Sequence, residues 1–207
     1  SVTEIGEASF SECSSLKKIE IPTSLTTIEK FTFNNCSSIS QITIPSSVTK
    51  IEENAFNGCS LLTNITIPSS VTEIGCNAFK ECLSLKTVIN LSSIKTIEKS
   101  VFEKCKSLIE FEIPSSVTVI KEDAFNGCLL LKKIIIPSSV TSIEDNAFYN
   151  CISLNQITIP SSVSSIGKSI FEGIKSLEIL GEMKKIPSFL FCSNTTLKQI
   201  KLKAAIK

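Results

Sequence analysis

The sequence predicts one parallel β-solenoid domain of about nine coils over residues 1–207. Three observations predict it. Phenylalanine recurs at 10, 33, 56, 79, 102, 125, 148 and 171, always in steps of 23 residues. Cysteine recurs at 13, 36, 59, 82, 105, 128 and 151 with the same step, and Ile174 takes the next place. Proline stands at 22, 45, 68, 114, 137 and 160, with Leu91 in the one gap. The length of 207 residues is nine such units. One unit has apolar residues at about a third of its positions and cannot enclose them alone, whereas stacked units cover one another's open faces.

Residues 51–73, IEENAFNGCSLLTNITIPSSVTE, give the unit, with positions counted 1 to 23 from Ile51. Positions 12–17, Leu-x-x-Ile-x-Ile, alternate with period two and end in β-branched residues, so they form a strand. Ile65 and Ile67 point inward, and positions 14 and 16 outward. Proline at position 18 has no N–H and ends the strand. Pro-Ser-Ser then turns the chain. Its second serine (Ser47, Ser70, Ser116, Ser139, Ser162) is expected to hydrogen-bond turn amides of a neighbouring unit. Val-Thr-x-Ile is extended again and suits a second, shorter strand. Asn/Ser-Ala-Phe-x-x-Cys is too short for a full helix, and a single helical or 3-10 turn there would bury Phe and Cys together.

The eighth unit is irregular near 166–185: Gly181-Glu182-Met183 stands where Ile-Pro-Ser-Ser is expected, and Phe171 is followed by Phe191 after 20 residues. The pattern resumes at Ile186 as a degenerate ninth unit in which Asn194 takes the cysteine place. Neither end carries the polar outer face that caps a solenoid, so the chain is expected to be a segment of a longer array, with end-to-end self-association of the isolated piece.

The consensus Leu-x-x-Ile-x-Ile-Pro-x-x-Val-x-x-Ile-x-x-x-Ala-Phe-x-x-Cys closely resembles the BspA-like, or Treponema-type, leucine-rich repeat along essentially the whole chain. The Ile-Pro after the strand and the Ala-Phe-x-x-Cys turn carry the likeness, and it weakens at 88–91 and 178–185. The resemblance implies a right-handed curved solenoid with a concave parallel sheet. It also implies a surface or secreted protein that adheres to host matrix or to other cells, with protein partners.

Composition excludes several chemistries. The chain has no His, no Trp and no Arg, and its net charge is +1. No imidazole mechanism or guanidinium fork is available, and the overall charge draws the chain to neither nucleic acid nor an acidic membrane. No apolar run is long enough to insert across a bilayer. No serine has a histidine partner, no glycine-rich phosphate loop exists, and no enzyme activity or cofactor is expected. Glu52, Glu98 and Glu144, like Glu53, Glu122 and Asp145, recur as outer-face charge rather than a calcium site. The cysteine column suits a buried ladder of reduced thiols, with disulfides or metal as the alternatives. Cys76 replaces a residue that is Glu, Lys or Asp in most units. It should therefore be exposed, either as a reactive thiol or as an incidental one, and Cys192 also lies off the ladder. The sequons at Asn35, Asn64, Asn90 and Asn194 would matter only in a eukaryotic secretory pathway, and Asn90 sits at an inward position.

The outward positions of the concave strands form the candidate binding face. Its distinctive centre is Thr87, Ile89, Glu110, Glu112, Lys133 and Ile135, where two isoleucines flank Glu112. The plain alternative is a solvated sheet face with a Glu110–Lys133 pair. The expected role is a protein-binding, adhesin-like surface module. An intracellular scaffold on the same solenoid is the alternative, with the cytoplasm as its location.

Overall fold

A computed structural model gives the fold and describes residues 2–91, 93–180, 188, 190–191 and 194–203. Two faces of the stack carry seven short strands each. On one face lie Thr27–Ile28 (β1), Lys50–Ile51 (β2), Glu73–Ile74 (β4), Thr96–Ile97 (β6), Val119–Ile120 (β8), Ser142–Ile143 (β10) and Ser165–Ile166 (β12). On the other lie Asn64–Thr66 (β3), Thr87–Ile89 (β5), Glu110–Glu112 (β7), Lys133–Ile135 (β9), Gln156–Thr158 (β11), Ser176–Leu180 (β13) and Gln199–Lys203 (β14). All pairing is parallel and joins a strand to its equivalent one unit later, as in Ile51 with Ile74 and Glu110 with Lys133. The paired stack thus has about seven turns rather than nine. At the N-terminal end, residues 18–20 and 41–43 of the strand face do not enter a sheet.

The interior is the phenylalanine spine. Rings from Phe10 to Phe191 stack in series with neighbouring centroids 5.3 to 6.3 Å apart. The widest step, 6.3 Å, is Phe148–Phe171, where the irregular unit begins. There β11 pairs with β13 at an offset of 22 residues, as in Ile157 with Ile179, instead of 23. Residues 181–187, including Ile186, lie outside the described residues.

The segment expected to make a helical turn contains no helix. It is a chain of β-turns with alternating hydrogen bonds. Ala55, Asn57 and Cys59 donate their N–H groups within the coil, to Glu52, Asn54 and Phe56 carbonyls at 3.2 to 3.3 Å. The intervening Asn54, Phe56 and Gly58 donate to the next coil, to Cys76, Ala78 and Lys80 carbonyls at 2.8 to 3.0 Å. A helix would spend every amide locally and leave the stack without these bonds. The alternation requires left-handed backbone twice per coil, at Asn54 (φ 56°) and Gly58 (φ 72°) and their equivalents. This is why Asn, Asp and Gly are frequent there.

The serine column also differs in its partner. Ser47, Ser70, Ser116 and Ser162 donate to the carbonyls of Leu25, Val48, Ile94 and Val140 at 2.6 to 2.8 Å, stitching each turn to the coil before it. The Oγ of Ser139 is buried without a partner among the described residues, and nothing in the structure explains it.

Both faces are interrupted at the same unit. β4 does not pair with β6, nor β5 with β7. Asn90 and Leu91 stand where Ile and Pro stand elsewhere. Asn90 adopts φ 67° and is exposed, contrary to the inward position expected of it, because the left-handed backbone swings its polar side chain out of the core. Restoring the consensus with Asn90→Ile and Leu91→Pro together should close the gap and raise stability by about 1 kcal/mol. The urea midpoint reads this, and an unchanged or lower midpoint would rule out local sequence as the cause.

Candidate functional site

Period-two alternation places the side chains of the strand face. In β3, β7 and β9 the middle residue is buried (Ile65, Phe111, Ile134) and its two neighbours are exposed. Of the six residues singled out by sequence, Glu110 and Glu112 lie opposite Lys133 and Ile135 in one sheet. Thr87 and Ile89 lie in the smaller sheet, opposite Asn64 and Thr66, across the interruption. Ile89 and Ile135 are 47% and 51% exposed. Glu110 and Lys133 face each other in register, and among the described residues they form no ion pair with each other. Thr87 Oγ1 donates to Asn64 Oδ1 at 2.6 Å.

Sequence reasoning missed what lies beneath. Phe111 occupies an inward place that is Ile or Val in the other units, and its ring meets Phe102 at 5.0 Å and Phe125 at 4.8 Å, tilted and edge-on. This aromatic cluster fixes the rung that presents Glu110 and Glu112. The signal was present, since Phe111 is a phenylalanine off the 23-residue column. A second feature is a groove of about 630 Å³ at the N-terminal end of the same face, between residues 17–23 and 40–45. It contains none of the six residues.

The cysteine column is a ladder of free thiols. Cys36, Cys59, Cys82, Cys105, Cys128 and Cys151 are buried. Each donates its S–H to a Phe carbonyl of the preceding coil at 3.0 to 3.2 Å. Asn194 donates to the equivalent carbonyl, Phe171, at 2.6 Å, so it does take the cysteine place. Burial pushes the ladder thiols up, Cys36 to about 11 and Cys151 to about 12, and it raises Cys59, Cys82, Cys105 and Cys128 as well. Cys13 departs from the expected ladder. It is exposed, unlike the six that follow it. Cys76 is half-buried rather than exposed. Its Sγ lies 3.7 Å from Glu98 Oε2, and burial followed by the Glu98 charge raises its pKa. A thiol held protonated beside a carboxylate is a poor nucleophile. Cys192 lies outside the described residues. Among the described residues no group of three or more His, Cys, Asp or Glu could hold a metal ion.

The outer-face charges pair between coils: Lys30 with Glu53 at 3.7 Å, Lys50 with Glu73 at 3.1 Å, Lys99 with Glu122 at 2.6 Å and Lys121 with Glu98 at 3.0 Å. Asp145 accepts from the Lys168 N–H at 2.7 Å, and Glu144 from the Glu122 N–H at 3.2 Å. These carboxylates are occupied in holding neighbouring coils together.

A family model for the BspA type leucine rich repeat region matches residues 1–109 and 95–207, in six copies. No curated protein matches. Among solved structures, the chain is similar to a T. pallidum leucine-rich repeat protein (29% identity, TM-score 0.72), over 91% of this chain and 86% of that one. It is similar to a leucine-rich repeat protein from Bacteroides ovatus (27%, TM-score 0.67), over 96% of this chain and 63% of that one. It is also similar to a leucine rich cell surface protein from Faecalibacterium prausnitzii (31%, TM-score 0.60), over 98% of this chain and 64% of that one. It therefore spans less than two thirds of the length of the last two. With the 23-residue coil, the Phe and Cys columns and the paired parallel strands, these matches make the chain a member of the BspA-type leucine-rich repeat family.

Proposed function

We propose that this solenoid is a non-enzymatic, adhesin-like surface module that holds a protein partner on the central rungs of its strand face. The observation that carries the proposal is an exposed patch on a rigid support. Ile89 and Ile135 flank the Glu112 rung, and that rung is pinned from below by the Phe111 cluster. Apolar area supplies affinity there, and the unpaired Glu110, Glu112 and Lys133 supply orientation. The surface location rests on the family and on the F. prausnitzii relative, whose description is a cell surface protein. An intracellular scaffold is the second reading, favoured by the free thiols.

The test is a binding titration against a panel of soluble extracellular-matrix proteins. Glu112→Lys and Ile135→Asp should each weaken binding by about 2 kcal/mol, roughly thirtyfold, if the contact is desolvated. Glu53→Gln, on the outer face, should leave binding unchanged. Loss of binding in Glu53→Gln with the two strand-face variants intact would move the function to another face.

A further inference from the structure

The turn that follows each ladder cysteine carries a second surface. In this turn Leu62, Leu85, Leu131 and Leu154 donate their N–H groups to the carbonyls of Cys59, Cys82, Cys128 and Cys151 at 2.9 to 3.2 Å. The two residues between them form the tip. Turn tips favour small polar residues, and the first two coils obey, with Ser14-Ser15 and Ser37-Ser38. Later coils do not. Leu61, Leu83, Leu130 and Ile152 stand at the tips and are 52%, 37%, 48% and 46% exposed. Ile109, on the intervening coil, is exposed as well.

The charges on this flank are one-sided. The stretches 59–63, 82–86, 105–109, 128–132 and 151–155 contain Lys86, Lys106 and Lys132 and no carboxylate. All three lysines are exposed, and among the described residues none forms an ion pair, whereas the outer-face lysines Lys30, Lys50, Lys99 and Lys121 are paired. A net charge of +1 therefore conceals a segregated basic flank.

We propose that this flank rests on an anionic lipid surface, with the tip leucines and Ile152 entering the headgroup boundary and Lys86, Lys106 and Lys132 meeting lipid phosphates. Projecting tips make a ridge, which a deformable bilayer surface accommodates. Leu and Ile supply shallow apolar insertion, while lysine stems lie along it with their ammonium groups in the headgroups. Charge complementarity selects an anionic leaflet. Seated this way, the solenoid lies on its side, and the strand face described above is left free.

The test is co-sedimentation of the full chain with phosphatidylcholine vesicles containing about one third phosphatidylserine, beside vesicles of phosphatidylcholine alone. The chain should bind the anionic vesicles more tightly and be released by high salt. Lys106→Ala and Lys132→Ala should each weaken binding about fivefold. Leu130→Asp with Ile152→Asp should weaken it at least tenfold while circular dichroism stays unchanged, and the charge-neutral strand-face change Thr66→Ala should have no effect. Absence of binding to the anionic vesicles, equal binding to both vesicle types, or insensitivity to the flank variants would overturn the proposal. So would binding to soluble polyglutamate in preference to vesicles, which would assign the flank to an acidic polypeptide.

Discussion

Replacing Phe102 by alanine should lower stability by about 3–5 kcal/mol, the cost of removing a fully buried aromatic side chain and leaving its cavity. Phe102 is 1% exposed, and its ring contacts Phe79 at 5.7 Å, Phe125 at 5.6 Å and Phe111 at 5.0 Å. The neighbouring backbone is tied down on both sides, by Phe79 N–H to the Val101 carbonyl and by Phe102 N–H to the Ala124 carbonyl, so the cavity cannot collapse easily. The same change at Phe10, whose ring stacks only on Phe33 and is partly exposed, should cost much less. In a stack where each coil contacts only its neighbours, the Phe102 change should also weaken the coupling between the two halves and broaden the unfolding transition. Urea denaturation of the two variants decides the matter. A loss below about 1 kcal/mol at Phe102 would show that the spine is not the main source of stability.

Alkaline unfolding should be unusually steep. Cys59, Cys82, Cys105, Cys128 and Cys151 are buried, and burial holds their pKa values well above the usual thiol value of 9.0. Below that value the thiols are protonated in both folded and unfolded chains, and stability does not depend on them. Above it the unfolded chain releases protons that the folded chain keeps. Unfolding is then favoured, and stability falls as pH rises. Each such thiol contributes about 1.4 kcal/mol per pH unit, so five give a slope of about 7 kcal/mol per unit until the folded thiols themselves ionise. The window opens near pH 9 and extends to about 12, where Cys151 would titrate in the folded state. Melting temperature should drop sharply from pH 9 to pH 10.5, and thiolate absorbance should appear together with loss of β-structure. At pH 8 a thiol reagent should label Cys13 well before the ladder. The variant Cys82→Ala with Cys105→Ala should lose about two fifths of the slope. An equal slope in that variant would trace alkaline loss to lysine deprotonation instead.

The periodic parts of this molecule were legible because a repeat exposes its own rules. The Phe and Cys columns located the core, and the Ile-x-Ile pattern located β3, β7 and β9 with the correct residues facing out. Legibility failed where one copy departs from the others or where a neighbour one coil away decides the outcome. Cys13 shares its column with buried thiols and yet is exposed, since a column assigns every copy one environment whatever surrounds that copy. Cys76 looked exposed from its column, yet Glu98, 22 residues on, lies beside it. The chained β-turns were misjudged as helical turns although Asn54 and Gly58 marked two left-handed positions per coil. The exposure of Ile89 and Ile135 was legible, but their division between two sheets follows from the backbone at Asn90 and Leu91, where the Ile-Pro pair is replaced.

The hydrogen bonds between coils have a consequence for how such chains change in length. In the regular coils they join residues 22, 23, 24 or 26 apart, as in Ser70 to Val48, Thr87 to Asn64, Gly75 to Ile51 and Cys82 to Phe56. What each bond fixes is a separation along the chain, not a location in it. Removing one whole unit from the interior therefore returns equivalent donors to equivalent acceptors, while losing a single residue misaligns the ladders beyond that point. The molecule behaves as a ruler graduated in whole coils. Unequal recombination between near-identical gene segments can shorten or extend it one graduation at a time. The length of the stack can then vary between descendants while the spacing of side chains on each face, and whatever those faces hold, stays constant.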